Sequence, residues 1–361
     1  MLYMTPPEDL ADHLPDEPAY RARQLEKWLY RTPVLQTADM TDLAKPLRTA
    51  LADDLWPFDV ATEQVADHGT TRKWLFRTKA GTSIESVLMG YPKRTTVCIS
   101  SQAGCAMGCT FCATGQFGFE RHLEPGEIVA QVAYAAANLR ERPIAGSPTN
   151  LNNVVFMGMG EPLSNYRRLR EALRRLIEVM GLSPRSITVS TVGVVPGIRR
   201  LAEEPWPLNL AISLHASEDA RRSSLVPLND RYPIAQLIDA ARYYFERKGR
   251  RISLEWTLIA GKNDDTAEAL RLATIARNMH AHINVIAMNP TPLTSDRPPS
   301  AENVRRFIST LRNAGANATL RDTRGSDIDG ACGQLRVREA EVPLPMPGTS
   351  SGSLAPLSKE S

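Results

Sequence analysis

The larger part of the chain alternates short apolar runs with longer amphipathic stretches. From residue 95 onwards, the runs are apolar at both even and odd positions, which is typical of strands buried on both faces of a sheet. The stretches between them, for example 126–139 and 167–180, predict helices. About six repeats of strand and helix predict an α/β fold in which parallel βαβ units form a partial (β/α)6 barrel. The predicted strands are 95–100, 154–157, 187–191, 208–214, 252–259, 283–288 and 318–321.

The region just before the barrel follows a different period. Segments 73–77 and 83–88 alternate apolar and polar residues on either side of Ala80–Gly81, a pattern that predicts a short β-hairpin extension. In the second strand of this hairpin, Glu85 falls on the opposite face from Ile84. A glutamate in such a position usually faces solvent, so the pattern alone gives Glu85 no function.

The first 60 residues predict short helices. Over residues 20–31, Leu25, Trp28 and Leu29 share one helical face, which indicates a small apolar core. The opposite face carries a basic stripe of the kind that is more often solvated than bound to nucleic acid; it consists of Arg23, Lys27 and Arg31. The predicted units are a small helical domain over 1–60, the hairpin extension over 61–94, the barrel over 95–340 and a disordered, Pro/Ser/Gly-rich tail over 341–361.

The composition indicates a cytoplasmic protein without a membrane segment. Hydrophobic residues make up 42% of the 361 residues, and no apolar run approaches the ~20 residues of a membrane span. The N-terminus is acidic and rich in proline, unlike a signal peptide. Five cysteines, three of them clustered, indicate metal binding in a reducing compartment rather than a disulfide framework. The net charge is only +3, but just eight of the 43 basic residues are lysine; this excess of arginine fits RNA binding and equally a GC-rich genome.

The candidate chemistry centres on three closely spaced thiols, those of Cys105, Cys109 and Cys112. Thiolates at this C-x3-C-x2-C spacing repel one another and are stable together only around a cation. Gly104 and Gly108 allow the backbone to curl around that cation. Three ligands suit an iron–sulfur cluster that keeps one iron open for a small molecule. The main alternative is a structural zinc ion, which needs a fourth ligand; the candidates are Cys98 and His122.

Polar residues follow several of the predicted strands at the same end. Because ligands of parallel α/β folds bind beyond the carboxyl ends of the strands, these residues predict one binding site. Gly158 and Gly160 would let a ligand approach the backbone, and Glu161 would pair with the ammonium group of an amino acid. Hydrogen-bonding groups for a ribose and an adenine are supplied by Ser190, Ser213, His215 and Asn289.

The cysteine motif, with Phe111 before its last cysteine, resembles that of the radical S-adenosylmethionine (SAM) superfamily. The segment 97–105 is similar to one branch, the RlmN/Cfr ribosomal RNA adenine methyltransferases, and the resemblance extends to 331–335. It implies a radical-SAM barrel, a [4Fe-4S] cluster on the three clustered cysteines and an N-terminal domain that contacts RNA. It also implies a SAM site, matched here by Gly160, Glu161, Ser190, Ser213, Leu214, His215 and Asn289, with Leu214 contributing through its backbone or packing.

The two remaining cysteines, Cys98 and Cys332, would by default be buried structural thiols. The resemblance instead implies that a first SAM methylates Cys332 and that the reduced cluster cleaves a second SAM to a 5′-deoxyadenosyl radical. This radical removes a hydrogen from the S-methyl group, and the methylene radical adds to an adenine. Glu85 then removes the ring proton. Cys98 attacks the sulfur, releasing methylated RNA and leaving a Cys98–Cys332 disulfide.

The resemblance further implies the substrates and partners of the reaction. They are C2 of adenine 2503 in 23S ribosomal RNA and of adenine 37 in transfer RNA, with a flavodoxin-type electron donor and a monomeric enzyme. Two alternatives stay open. The same residues would serve methylation of adenine at C8. A non-catalytic RNA-binding protein with a structural zinc would explain the arginine excess and three of the cysteines, but not the polar strand ends.

Overall fold

The fold is organised around one large sheet. The computed structural model describes residues 1–291, 293–321, 324–331 and 333–335. The strands of this part of the chain are β1 (Phe58–Ala66), β2 (Thr71–Thr78), β3 (Ser83–Tyr91), β4 (Arg94–Cys98), β5 (Gln102–Gly104), β6 (Phe119–His122), β7 (Asn153–Phe156), β8 (Ile187–Thr191), β9 (Asn209–Ser213), β10 (Ser253–Leu258), β11 (His282–Ala287) and β12 (Asn317–Leu320). Ten of them form one sheet in the order β1-β2-β3-β4-β7-β8-β9-β10-β11-β12, while β5 and β6 pair separately.

Helices connect the later strands. Those of the described residues are α1 (Tyr20–Glu26), α2 (Lys45–Ala50), α3 (Ala113–Gln116), α4 (Pro125–Glu141), α5 (Tyr166–Arg174), α6 (Val195–Glu203), α7 (Asp219–Leu225), α8 (Ile234–Lys248), α9 (Thr266–Asn278) and α10 (Ala301–Asn313). Two continue as π-helical turns, α1 over Lys27–Arg31 and α5 over Arg175–Val179. Helix α4 begins with Pro125, and Glu124 and Glu127 form a capping box there, which explains why the helix starts at this point.

Seven strands, β4 and β7 to β12, run parallel and form the barrel part of the sheet. Six βα units thus lead to a seventh strand, and the expected α/β fold with a parallel sheet is confirmed. Each predicted strand is present, with its ends shifted by about two residues or less, as is usual for boundaries inferred from a pattern. Neighbouring strands are in close register, so that their carboxyl ends meet at one mouth; Val97 lies opposite Val154, for example.

The antiparallel part of the sheet contains one strand that the pattern does not predict. The hairpin of β2 and β3 is confirmed, with Ala80–Gly81 in its turn. Five of the nine residues of strand β1 are exposed, and its register shifts between Val60 and Thr62, so its alternation is weak. Because β3 pairs with β4, with Val87 opposite Cys98, the antiparallel strands continue the barrel sheet directly.

Short helices fill the first part of the chain and pack against the outside of the barrel. Leu25 and Leu29 are fully buried, as their pattern indicates. The hydroxyl of Tyr3 donates to the carbonyl of Leu29 at 2.8 Å, and its own carbonyl accepts from Nη1 of Arg175 at 3.0 Å. A Cβ at Gly126 would lie 2.2 Å from the carbonyl oxygen of Tyr3, so only glycine permits this close approach to α4.

Parts of the basic stripe also serve the fold. Arg31 donates to the carbonyl of Glu178 at 3.3 Å, and Lys27 pairs with Asp42 at 3.5 Å. No helix in the described ranges is long and apolar enough to cross a membrane. The divisions between the predicted units stay predictions, and the tail 341–361 lies outside the described residues.

Candidate functional site

The three clustered cysteines lie on a loop that leaves the mouth of the barrel after β5. Glycines shape this loop: Gly104 and Gly108 have φ values of 72° and 65°. A Cβ at Gly104 would lie 2.1 Å from the carbonyl oxygen of Gly118, and that oxygen also accepts a hydrogen bond from the amide of Cys105 at 2.6 Å. Another side chain at Gly104 would therefore displace the first cysteine.

The three thiols are largely shielded from water: Cys109 is buried, and Cys105 and Cys112 are partly buried. Burial raises the pKa of Cys105 to about 12 and also raises the pKa values of Cys109 and Cys112. Repulsion from the neighbouring thiols adds to this effect at Cys105 and Cys109. The three groups would therefore become thiolates together only with a cation beside them.

The arrangement suits a cluster better than one metal ion. Within the described part of the chain, no three Cys, His, Asp or Glu side chains converge as the ligands of a single ion do. Cys98 faces a neighbouring groove instead of the thiols, and Nδ1 of His122 is hydrogen-bonded to Gln102 at 3.0 Å. Neither belongs to a group of three such side chains close enough to share one ion. In an iron–sulfur cluster the thiolates bind separate iron atoms, so three thiols that line one cleft fit this donor set.

The thiols face a cleft beyond the carboxyl ends of the parallel strands. The empty space in this cleft, including the part that is open to solvent, is about 1000 Å³. Leu214 does not line the cleft; it is buried, and its amide donates to the carbonyl of Glu255 at 3.1 Å. The structure thus brings the other residues of the expected site to one place, while their binding of SAM stays a prediction. Those that line the cleft are Cys105, Cys109, Cys112, Gly160, Glu161, Ser190, Ser213, His215 and Asn289.

Glu161 presents a buried carboxylate to this cleft. Its Oε1 accepts from the amide of Leu163 and its Oε2 from the amide of Val192, both at 2.9 Å. Burial raises the pKa of Glu161 to about 7, although both hydrogen bonds favour the anion. A cationic ligand would restore full ionisation, so the ammonium group of an amino acid fits this position. The preceding Gly160 has a φ of 97°, and a Cβ there would lie 2.5 Å from Cβ of Gln102.

His215 is held as a neutral hydrogen-bond donor. Its Nδ1 accepts from the amide of Thr257 at 3.0 Å, which leaves the proton on Nε2. Burial, with a contribution from the charge of Arg222, lowers the pKa of His215 to about 3. Its backbone is left-handed, with a φ of 61°. This conformation is unfavourable for residues other than glycine, and it often marks functional positions. The imidazole can therefore offer one N–H to a polar ligand at any physiological pH.

Glu85 is buried, contrary to the usual position of a glutamate in an alternating strand. Its side chain is only 4% exposed, and Oε1 lies 2.9 Å from Nζ of Lys73. Burial raises the pKa of Glu85 to about 7, while the nearby ammonium of Lys73 acts in the opposite direction. The group can therefore take up or release a proton close to neutrality.

Cys98 lines a smaller groove that adjoins the cleft. The two share Met157 and Asn289 as lining residues. Ala331 lines the groove and Gly333 lines the cleft, so these two described residues reach the site. Cys332 itself lies outside the described residues, and there is no disulfide between the cysteines that are described.

Three polar residues that support the site are missing from the sequence-based prediction. Gln102 accepts from the amide of Glu161 at 2.7 Å, Lys73 pairs with Glu85, and Arg222 is fully buried behind the strand ends. For Lys73 a signal existed, because the hairpin places it diagonally across from Glu85 on the partner strand. Gln102 and Arg222 gave none, because Gln102 lies 59 residues from Glu161 and the acceptors of Arg222 are spread over three separate segments.

Two known families match parts of the chain, and individual relatives match about nine tenths of it. The Radical SAM superfamily matches residues 99–273, and the family described as "Ribosomal RNA large subunit methyltransferase N-terminal domain" matches residues 9–55. A protein of Frankia casuarinae named "Probable dual-specificity RNA methyltransferase RlmN" is 50% identical over 337 residues, which cover 91% of this chain and 80% of that protein. A protein of the same name from Chloroflexus aurantiacus is 49% identical, with 91% and 89% covered.

A solved structure shows the same architecture. It is the crystal structure of a radical SAM methyltransferase from Sphaerobacter thermophilus, which is 49% identical in sequence. The superposition has a TM-score of 0.87 and covers 93% of this chain and 98% of that protein. The expected radical-SAM barrel is therefore confirmed, and the same matches confirm the resemblance stated from the motifs.

Proposed function

The chain belongs to the RlmN family of radical SAM RNA methyltransferases, and we propose that it methylates C2 of adenine 2503 in 23S ribosomal RNA and of adenine 37 in transfer RNA. That it is a methyltransferase follows from the family. One observation carries the finer proposal: the three thiols, Glu161 and His215 line one cleft, and Cys98 lines the groove beside it. The words "dual-specificity" in the names of its relatives support two kinds of RNA substrate.

The cofactors follow from the donor groups around the cleft. The family implies a [4Fe-4S] cluster, which Cys105, Cys109 and Cys112 would hold, and SAM, whose amino group would pair with Glu161. When bound, these groups supply the carbon radical that an electron-poor ring carbon requires. Ser190, Ser213, His215 and Asn289 would hold the nucleoside part of SAM through hydrogen bonds. The enzyme would take its electron from a flavodoxin-type protein and act as a cytoplasmic monomer.

Glu85 is assigned to proton removal. Its carboxylate would accept the proton on C2 of the adenine once the carbon–carbon bond to the methylene group has formed. A pKa of about 7 suits a base at neutral pH, because the group is then both available and strong enough. Lys73, 2.9 Å away, holds the carboxylate in place.

Two cysteines complete the proposed chemistry. Cys332 would accept a methyl group from a first SAM before the radical step with a second, so each turnover uses two. Once the adduct has lost the ring proton and one electron, which replaces the electron consumed in cleaving the second SAM, Cys98 would attack the sulfur of Cys332. The S–C bond breaks, its electron pair and a proton complete the methyl group of the released RNA, and a reductant reopens the Cys98–Cys332 disulfide. The position of Cys98 in the groove lined by Ala331 supports this pairing.

Replacement of each cysteine tests the assignment. Cys332→Ala should abolish RNA methylation in anaerobic reactions with SAM and reductant, yet retain the iron and sulfide content of the wild type, because the cluster ligands are untouched. Cys98→Ala should accumulate a protein–RNA adduct that survives a denaturing gel, because the releasing thiol is missing. Methylation at the wild-type rate by Cys332→Ala would refute the mechanism.

A further inference from the structure

A buried arginine with neutral partners stands behind the cysteine loop. Arg222 in α7 is fully buried. Its Nε donates to the carbonyl of Leu214 at 3.0 Å, and its Nη2 donates to the carbonyls of Val192 at 2.5 Å and Ser213 at 3.2 Å. Its Nη1 donates to Oδ1 of Asn229 at 2.9 Å. All four acceptors are uncharged oxygen atoms, so these bonds satisfy the guanidinium but do not neutralise it.

The charge of Arg222 has no carboxylate partner of its own. In the described part of the chain, no Asp or Glu oxygen lies within the 4.0 Å of an ion pair, whereas the adjacent Arg221 pairs with Asp265 at 2.8 Å. Asp219 acts on Arg222 at longer range, but its carboxylate accepts from the amide of Ile234 at 2.8 Å. Burial lowers the pKa of Arg222 to about 10, so the group is still charged at neutral pH. Burying a charge without a compensating partner is unfavourable, which indicates a negative group nearby.

The cysteine loop lies next to the helix of Arg222 and would supply that negative group. Helix α7 ends at Leu225, whose carbonyl accepts from the amide of Thr110, the residue after Cys109, at 3.1 Å. Leu225 and Cys109 belong to the same small apolar cluster. Val192, whose carbonyl accepts from Arg222, packs against that same cluster and lines the cleft beside the thiols. Arg222 therefore lies within electrostatic reach of a cluster ligand, across a medium that screens poorly.

Resting on the proposed function, in which three thiolates hold a cluster, we propose that Arg222 is the buried counter-ion of that cluster. A one-electron reductant adds one electron to the cluster, raises its negative charge by one, and makes or breaks no bond. A fixed positive charge stabilises this more negative state, so it raises the reduction potential. Arg222 is thus a positioning residue with two effects. Its hydrogen bonds hold the carbonyls of Val192 and Ser213 beside each other, and its charge makes the cluster easier to reduce.

Three variants of Arg222 and one control variant of Arg221 separate the charge of Arg222 from its hydrogen bonds. Arg222→Gln and Arg222→Met remove the charge, Arg222→Lys keeps it but loses the planar fork, and Arg221→Gln removes an equal charge from a partly exposed neighbour. The readout is a redox titration of the reconstituted, SAM-free cluster followed by electron paramagnetic resonance. Arg222→Gln should lower the equilibrium constant for cluster reduction at least tenfold, which corresponds to ~59 mV for one electron. Arg222→Lys should change it less than threefold, and Arg221→Gln should match the wild type.

Each outcome decides the matter. Equal shifts of the reduction potential in Arg222→Gln and Arg222→Lys would overturn the proposal, because geometry rather than charge would then be responsible. An unchanged potential in Arg222→Gln would overturn it as well, because the charge would then have no effect. If the neutral variants bind no cluster, a Lys variant with a wild-type potential supports the counter-ion, and loss of the cluster in the Lys variant as well overturns it. Absence of an iron–sulfur cluster from the wild type would instead contradict the proposed function.

Discussion

At the scale of single residues, burial determines what the two carboxyl groups of the site can do. The pKa values of Glu85 and Glu161 are both raised to about 7 by desolvation, but their partners differ. Two backbone amides stabilise the anionic form of Glu161, which a bound cation would ionise fully. Glu85 has the ammonium of Lys73 beside it and can exchange a proton. The same residue type therefore serves binding in one case and proton transfer in the other.

The proton-transfer role of Glu85 predicts a pH dependence. A base must be deprotonated, so single-turnover methylation of RNA should rise with pH and level off above about 7, the raised pKa of Glu85. Glu85→Gln should lose at least about 100-fold in this rate, in line with general-base catalysis, and the remaining rate should not rise through pH 7. Quenched-flow assays between pH 5.5 and about 8.5 would measure this. A Gln variant with the wild-type rate would show that another group takes the proton.

Burial of Glu85 also makes the stability of the fold depend on pH. Stability falls as the pH rises, whereas the methylation rate increases. Its pKa in the folded state is raised above the ordinary 4.5, so the protonated form is favoured by folding. The contribution of this group to stability is present below about pH 4.5 and is lost as the pH rises through about 7. The enzyme thus gives up some stability in the range where the base works.

At the scale of elements, helix α4 fixes the segment between β4 and β5, which leads into the cysteine loop. The side chain of Gln131 makes four hydrogen bonds: Oε1 accepts from Oγ of Ser86 at 2.6 Å and from the amide of Ser100 at 2.8 Å, and Nε2 donates to the carbonyls of Ser100 at 3.0 Å and Glu127 at 3.1 Å. All of these groups are buried. One amide side chain therefore replaces the sheet hydrogen bonds that Ser100 lacks beyond the strand.

Loss of Gln131 should accordingly destabilise the fold near the site. Gln131→Ala leaves the amide and carbonyl of Ser100 without partners and should lower the free energy of unfolding by about 2–3 kcal/mol. Arg140→Ala is the matched control, since Arg140 is exposed on the same helix and should change stability by less than about 0.5 kcal/mol. Urea denaturation of the two apoproteins gives both values. Equal midpoints would mean that water replaces Gln131 without loss.

At the scale of the whole molecule, the barrel could be predicted from the sequence, but the side-chain contacts around its site could not. Strands buried on both faces leave continuous apolar runs, so the order of the βα units is visible in the chain. The cysteine spacing shows a metal site for a similar reason, because its ligands are local. Glu85 and Arg222 differ. The hairpin pattern places Lys73 diagonally across from Glu85 but does not show that this pair is buried. The hydrogen bonds of Arg222 reach carbonyls in separate loops, and a one-dimensional pattern does not show such partners. Strand β1 was missed because five of its nine residues are exposed and its apolar residues do not alternate regularly.

The proposed function requires that the cleft and the adjoining groove together place a methyl group on C2 of adenine. Mass spectrometry of nucleosides tests this requirement, after anaerobic reaction of the reconstituted enzyme with SAM, reductant and RNA that lacks the modification. We expect 2-methyladenosine in both 23S ribosomal RNA and transfer RNA. Formation of 8-methyladenosine, or cleavage of SAM to 5′-deoxyadenosine without any methylated adenosine, would contradict the proposed function.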